Sequence, residues 1–189
     1  MIDISLDEQN VKLAETFLAD APKEVQRAAS AAINRTITKV KTATSVTVRK
    51  RYVANAGAIK KSLSHTRATA SKPQGRIRSE GPSLPLTAFQ MSRAGAASVR
   101  GTGPMRVKVL KSSSPKPVRG LFSRTFPRGY FGPMMRVGRT PYPLRTPAGP
   151  SVPQMVGHDE TMNVLVPEAE KTLNERFLHE VEFRMGRIR

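Results

Sequence analysis

From Val25 to His158 the chain carries 25 lysines and arginines and one acid, Glu80. No fold can neutralise that stretch from within, because a salt bridge needs a carboxylate within about 4 Å and there is one for 25 cations. The two flanks reverse the balance, with 7 basic and 13 acidic residues, so the formal +18 of the whole chain hides a basic middle between acidic ends. Self-repulsion in the middle favours an anionic counterpart. Nucleic acid meets that need, and so do acidic protein surfaces in an assembly.

At 189 residues the chain has room for one domain with a real core. Its 38% hydrophobic content is low, its 15 prolines and 13 glycines are unevenly spread, and it has no Trp, three Tyr and seven Phe. Apolar material is therefore rationed among the segments. With no Cys, disulfides and thiolate metal sites are excluded. No apolar run approaches membrane-spanning length, and the opening MIDISLDEQN is too acidic and polar for a signal peptide. The expectation is a soluble protein made in a cytosol, with no membrane contact.

Leu6, Leu13 and Phe17 predict a short helix over Leu6–Ala19. Asp20-Ala21-Pro22 then interrupts it and offers a new start, with Asp20 or Ala21 as cap and Pro22 in the first turn. Val25, Ala28/Ala29, Ala32/Ile33, Thr36/Ile37, Val40 and Thr44 follow three-four spacing, which predicts a long helix from Pro22 to about Thr47. The β-branched residues at even positions from Thr36 to Val48 compete as a strand pattern. A second helix is expected over Asn55–Leu63, with Ile59 and Leu63 inward, and a connector over Thr66–Pro73.

The middle, about residues 74–150, reads as short strands. Arg76-Ile77-Arg78 and Arg106–Leu110 alternate, Leu84–Phe89 is extended around Pro85, and Gly120–Phe126 with Tyr130–Val137 flank the turn Pro127-Arg128-Gly129. Five prolines between Thr140 and Pro153 predict an extended arm or loop rather than a packed element. Pro167 with Glu168 and Glu170 marks a helix start, and Ala169, Leu173, Phe177, Val181 and Met185 carry that helix to about Gly186. The fold class is α+β, with N-terminal helices and a C-terminal helix around a small antiparallel sheet. It forms one domain over 1–189: a helical part (1–65), a basic β part (74–139), a Pro-rich arm (140–158) and a C-terminal helix (159–189).

No catalytic set assembles. His65, His158 and His179 fall on three separate elements, and His158-Asp159-Glu160 lacks the second His of a zinc motif and reads as a solvated turn. Gly101-Thr102-Gly103 has no third glycine or strand-helix context, Ser112–Ser114 sit in no nucleophile elbow, and a carboxylate pair is hard to build around one acid. The chain is read as a non-enzyme without metal or cofactor. The chemistry lies in the basic clusters Arg49-Lys50-Arg51, Lys60-Lys61 and Arg76/Arg78. They suit phosphate contact without base reading, since aromatic residues for stacking are scarce beside them; a solvated or protein-facing surface is the alternative. On the last helix Leu173, Phe177 and Val181 form a core stripe. Leu178 and Phe183 add a second apolar edge, and burial on two sides suits a subunit packed in a ring. Phe177, Leu178, Val181, Phe183 and Tyr142 are the expected subunit-contact residues.

The order of these segments resembles the prophage minor tail protein Z family, tail completion proteins of long-tailed bacteriophages. The resemblance is carried by Ala31-Ala32-Ile33-Asn34-Arg35-Thr36, by Val48-Arg49-Lys50-Arg51 through Ile59-Lys60-Lys61, and by Ala68 to Ile77 leading into Leu84-Pro85-Leu86. It continues through Gly120-Leu121-Phe122, Met135-Arg136-Val137, Tyr142-Pro143-Leu144, Val166-Pro167 and Phe183-Arg184-Met185. It spans nearly the whole chain, departing in the Pro-rich stretch Thr140–Pro153 and at Gly157. It implies a virion protein of the tail or neck, made in the host cytoplasm, that completes the head-proximal end of the tail and allows head-tail joining. The implied partners are further copies in a hexameric ring, the tail terminator and head-tail connector proteins, and the end of the packaged double-stranded DNA. A non-specific nucleic-acid-binding protein of ribosome- or nucleoid-associated type is the alternative reading.

Overall fold

The computed structural model describes residues 2–4, 22–93, 105–125 and 131–188. The expected helix over Leu6–Ala19 and the turn Pro127-Arg128-Gly129 lie outside them. The fold is α+β, with long helices toward both ends and small antiparallel sheets between them in sequence. Contacts divide the chain into unit 1 (Met1–Thr47, Leu63–Glu80 and Val156–Arg189) and unit 2 (Val48–Ser62 and Gly81–Met155).

Unit 1 is built on helix α1, Pro22–Arg51, whose last turn belongs to unit 2. Val25, Ala28, Ala29, Ala32, Ile33, Thr36, Ile37, Val40 and Thr44 are buried. Their three-four spacing is what defeats the competing strand pattern, because helical burial covers one continuous stripe. The threonines are accommodated by back-bonding: Thr38, Thr42 and Thr44 hydroxyls donate to the carbonyls of Asn34, Thr38 and Val40. The helix outruns its expected end at Thr47 because Arg49, Lys50 and Arg51 suit the negative end of the dipole.

Strands β1 (Ile2–Ile4), β2 (Leu63–Thr66) and β3 (Gly75–Ser79) form an antiparallel sheet in the order β1-β3-β2. In β3 the buried Gly75 and Ile77 alternate with the exposed Arg76 and Arg78. A Cβ on Gly75 would lie 2.5 Å from Ile33 Cγ2 and 2.6 Å from Ile37 Cδ1, so β3 packs on α1 at a distance only glycine allows. Asn34 holds the following connector by a reciprocal pair: its Nδ2 donates to Ala68 O, and Ala68 N donates to its Oδ1, both at 2.9 Å.

The last helix of unit 1 begins ahead of Pro167, which therefore does not mark its first turn. It runs Asp159–Ile188 and carries Pro167 inside. Thr161 and Leu165 are buried and continue the stripe of Ala169, Leu173, Phe177 and Val181 backward in steps of four. That burial offsets the loss of one backbone hydrogen bond at the proline. At the N-terminal end, His158 O accepts from Thr161 N (2.8 Å) and Met162 N (3.0 Å).

In unit 2, the end of α1 is tied down by backbone: Lys111 N donates to Arg51 O and Val53 N to Val109 O, each at 2.8 Å. Helix α2, Ala56–Ser62, begins at Asn55, whose Oδ1 accepts from Gly57 N at 2.8 Å as an N-cap, and it buries Ile59. Leu63, expected in this helix, opens β2 instead. The strands are β4 (Ser83–Pro85), β5 (Gln90–Arg93), β6 (Met105–Lys108), β7 (Lys116–Pro117), β8 (Phe122–Thr125), β9 (Phe131–Arg136), β10 (Leu144–Arg145) and β11 (Ala148–Ser151). They pair antiparallel as β5-β6-β7, β10-β9-β8 and β11-β4.

Two expectations for unit 2 need correction. The stretch Leu84–Phe89 is not extended throughout: a 3-10 turn, Leu86–Ala88, follows Pro85 and buries Leu86. The Pro-rich stretch is not a free arm: β11 pairs with β4, and a Cβ on Gly149 would lie 2.5 Å from the Phe89 ring. It then enters helix α3, Val152–Val156. Ser151 and Gln154 cap α3 reciprocally, Gln154 N donating to Ser151 Oγ (3.3 Å) and Ser151 N to Gln154 Oε1 (2.9 Å). The final helix, Asp159–Ile188, is therefore α4 in chain order.

Candidate functional site

The fold sorts charge more sharply than the linear sequence does. Unit 1 holds 15 basic residues and all 14 acids, whereas unit 2 holds 17 lysines and arginines and no acid. Unit 2 therefore contains no carboxylate at all to pair with. In unit 1, by contrast, Glu24, Glu80, Glu175 and Glu180 pair with cations of the same unit. Glu180, almost fully buried on α4, lies 3.1 Å from Arg35 and 3.8 Å from Arg184; Arg184 also lies 2.7 Å from Glu24 near the start of α1. Hydrogen bonds from Arg184 and then Arg27 hold the Glu24 carboxyl below its ordinary pKa. This network fastens α4 to α1.

The basic clusters separate between the units. Arg49, Lys50 and Arg51 form the last turn of α1, and Lys60 and Lys61 the last turn of α2. All five belong to unit 2, and all but the half-buried Arg51 are exposed. Arg51 stacks over the Tyr52 ring at 5.8 Å, which fixes the direction of its stem. Arg76 and Arg78 belong instead to β3 of unit 1, where both are exposed and Arg78 pairs with Glu80 at 3.1 Å.

The apolar residues expected at subunit contacts divide as well. Phe177 is 0% and Val181 5% exposed, so both lie in the core of unit 1 and are already covered by their own chain. Leu178 (46%), Phe183 (53%) and Tyr142 (61%) stand out at the surface, the first two on α4 and the third beside the cis Tyr142–Pro143 peptide. Large side chains so exposed are the part of the expected contact set that can meet another protein.

Sequence reasoning missed a third feature. A cleft of about 450 Å³ in unit 1 is lined by Asn34, Arg35, Thr38, Lys39, His65, Arg67 and Arg176. Its cations come from three separate stretches and share no period or motif, so no local signal announces it. Burial, and then the charges of Lys41 and Arg67, push the His65 imidazole below its ordinary pKa. Among the described residues no three His, Asp or Glu side chains are grouped to hold a metal, and no helix is long and apolar enough to cross a membrane.

The segment Ala31–Thr36 gains a physical account from this geometry. Ala32 and Ile33 lie in the core, Asn34 fastens the connector at Ala68, Arg35 reaches Glu180, and Thr36 is fully buried. No curated protein and no solved structure matches the chain. The family model described as Prophage minor tail protein Z (GPZ) matches residues 18–187, which takes in α1, all of α4 but its last residue and, among the described residues, every strand except β1. The chain belongs to the prophage minor tail protein Z family and is a structural protein of a bacteriophage tail.

Proposed function

We propose that the chain is a non-enzymatic ring subunit, hexameric in number, that completes the head-proximal end of the tail beside the terminator. There it meets the head-tail connector and holds the end of the packaged DNA. The observation that supports this reading is unit 2: seventeen cations without one acid need an external anion, and duplex DNA supplies one charge about every 1.7 Å of its axis. Arg49, Lys50, Arg51, Lys60 and Lys61 are the contacts proposed for the DNA backbone, with Arg76 and Arg78 of unit 1 as further contacts. Leu178, Phe183 and Tyr142 are proposed for the neighbouring subunit. Phosphate contacts of this kind position DNA without reading its sequence.

The test is a double charge reversal, Arg49→Glu with Lys60→Glu. Both side chains are exposed, so each change costs stability less than about 0.5 kcal/mol. Tails carrying the variant should form and join heads while DNA delivery fails. In solution, duplex affinity of the parent chain should fall steeply with salt and ignore base sequence. Normal infection by the variant particles would remove these residues from DNA holding. Failure of tails to form would make the patch a protein interface.

A further inference from the structure

Unit 1 is nearly balanced in charge, yet one of its clefts is not. Four cations line it: Arg35 from α1, Lys39 one turn further along α1, Arg67 from the connector after β2, and Arg176 from α4. One carboxylate serves them, Glu180, which lies 3.1 Å from Arg35. Lys39 Nζ donates to a neutral hydroxyl, Thr172 Oγ1, at 3.0 Å. Among the described residues no carboxylate pairs with Lys39, Arg67 or Arg176, although Glu24, Glu80 and Glu175 of the same unit are spent on Arg27 and Arg184, Arg78 and Lys171. Three positive charges therefore converge on one concave surface in a unit that has acids available elsewhere.

The cleft is also held in shape. Arg67 is placed by the reciprocal Asn34–Ala68 hydrogen bonds on the next residue, and Arg35 is fixed by the buried Glu180. Lys41 Nζ donates to His65 Nδ1 at 3.2 Å, which puts the proton of the neutral imidazole on Nε2 and leaves that nitrogen as a donor. Three arginines, of which Arg35 is spent on Glu180, a lysine and a histidine thus line the same space. A single carboxylate would neutralise one of the three charges. A phosphate group carries about −1.5 to −2 near neutral pH when terminal, and its oxygens accept bidentate bonds from Arg.

We propose that this cleft between α1, α4 and the β2 connector is a binding site for phosphate groups, with Lys39, Arg67 and Arg176 as the binding residues. The site is separate from the basic turns of unit 2 and stands or falls independently of them. Its phosphate has two sources, a free phosphate or the backbone of a nucleic acid, and they are told apart by what binds.

The full chain is titrated with inorganic phosphate, with pyrophosphate and with a short blunt duplex, while the ring signals of His65 are followed by nuclear magnetic resonance. Saturable shifts of His65 are expected. Saturation by inorganic phosphate or pyrophosphate at millimolar or lower concentration assigns a free phosphate, and saturation by the duplex alone assigns a nucleic-acid backbone. The double variant Arg67→Ser with Arg176→Ser should weaken the effective ligand at least tenfold, and Arg67→Lys with Arg176→Lys should fall between it and the parent. Arg49→Glu with Lys60→Glu should leave the His65 shifts unchanged. The proposal is overturned if no phosphate ligand moves the His65 signals, or if poly-glutamate moves them and the phosphate ligands do not. The first result needs no variant, so misfolding cannot produce it.

Discussion

Replacing Gly75 by alanine adds one methyl where β3 crosses α1. An ideal Cβ there lies 2.5 Å from Ile33 Cγ2 and 2.6 Å from Ile37 Cδ1, whereas ordinary contacts fall at 3.4–4 Å. Ile33 and Ile37 are 0% and 2% exposed, so neither side chain has free space to retreat into, and β3 must lift or the isoleucines must leave their rotamers. Overpacking of this kind costs about 1–3 kcal/mol. Against it stands about 0.4–1 kcal/mol gained because alanine restricts the unfolded chain. The expected net loss is about 1–2 kcal/mol, which for a urea slope of about 2 kcal/mol per molar lowers the midpoint by about 0.5–1 M. Adding Ile37→Val removes the Cδ1 atom that would clash, so the double variant should be more stable than the sum of the two single losses requires. Equilibrium urea unfolding followed by circular dichroism measures all four proteins. A Gly75→Ala chain as stable as its parent would refute the close packing of β3 on α1.

Three further outcomes follow from unit 1 and from α3. Glu24 is held below its ordinary pKa by Arg184 and Arg27, so its contribution is full above the ordinary carboxylate value and is lost as pH falls through the depressed one. Glu24→Gln should therefore be less stable than the parent near neutral pH and should lose less on acidification below about pH 4, as read from urea midpoints; parallel profiles would contradict the pairing. Thr36 is fully buried and its hydroxyl has no hydrogen-bond partner among the described residues. Thr36→Val should raise stability by about 1 kcal/mol in the same assay, and a loss would mean the hydroxyl is satisfied. Ser151→Ala removes one arm of the reciprocal cap on α3 and should cost about 1 kcal/mol, visible as faster amide exchange at Gln154 and Met155.

The parts of the fold legible in the sequence were those with a repeated period. Val25 to Thr44 on α1 and Ala169 to Val181 on α4 declare their buried stripes over several turns, and Arg76-Ile77-Arg78 declares a strand by alternation. Boundaries were lost where one residue type serves two purposes. Pro167 suits a first turn, but the buried Thr161 and Leu165 carry the same four-residue step through it, and the stripe outweighs the missing hydrogen bond. Five prolines suggested an arm, although Ser151-Val152-Pro153-Gln154 contains the serine and glutamine of a capping box, and Gly149 leaves room for the Phe89 ring.

The candidate sites follow the same logic. Arg49–Arg51 and Lys60-Lys61 are visible as runs, and the structure places both at helix ends in one unit. Phe177 and Leu178 are adjacent in sequence and opposite in fate, one fully buried and one 46% exposed, because a helix turns about 100° per residue. The cleft around His65 depends on residues from three stretches far apart in sequence, which no local pattern connects. The sorting of every acid into unit 1 likewise depends on which segments pack together.

In the proposed function the chain forms a ring at the head-proximal end of the tail. Cryo-electron microscopy of phage particles assembled with a tagged copy of this chain measures that position directly. A ring of density is expected between the last tail ring and the head connector, with unit 2 facing the DNA and its Arg49–Arg51 turn nearest the duplex. Tag density at the distal tip, or particles that lack the chain yet join heads and deliver DNA normally, would contradict it.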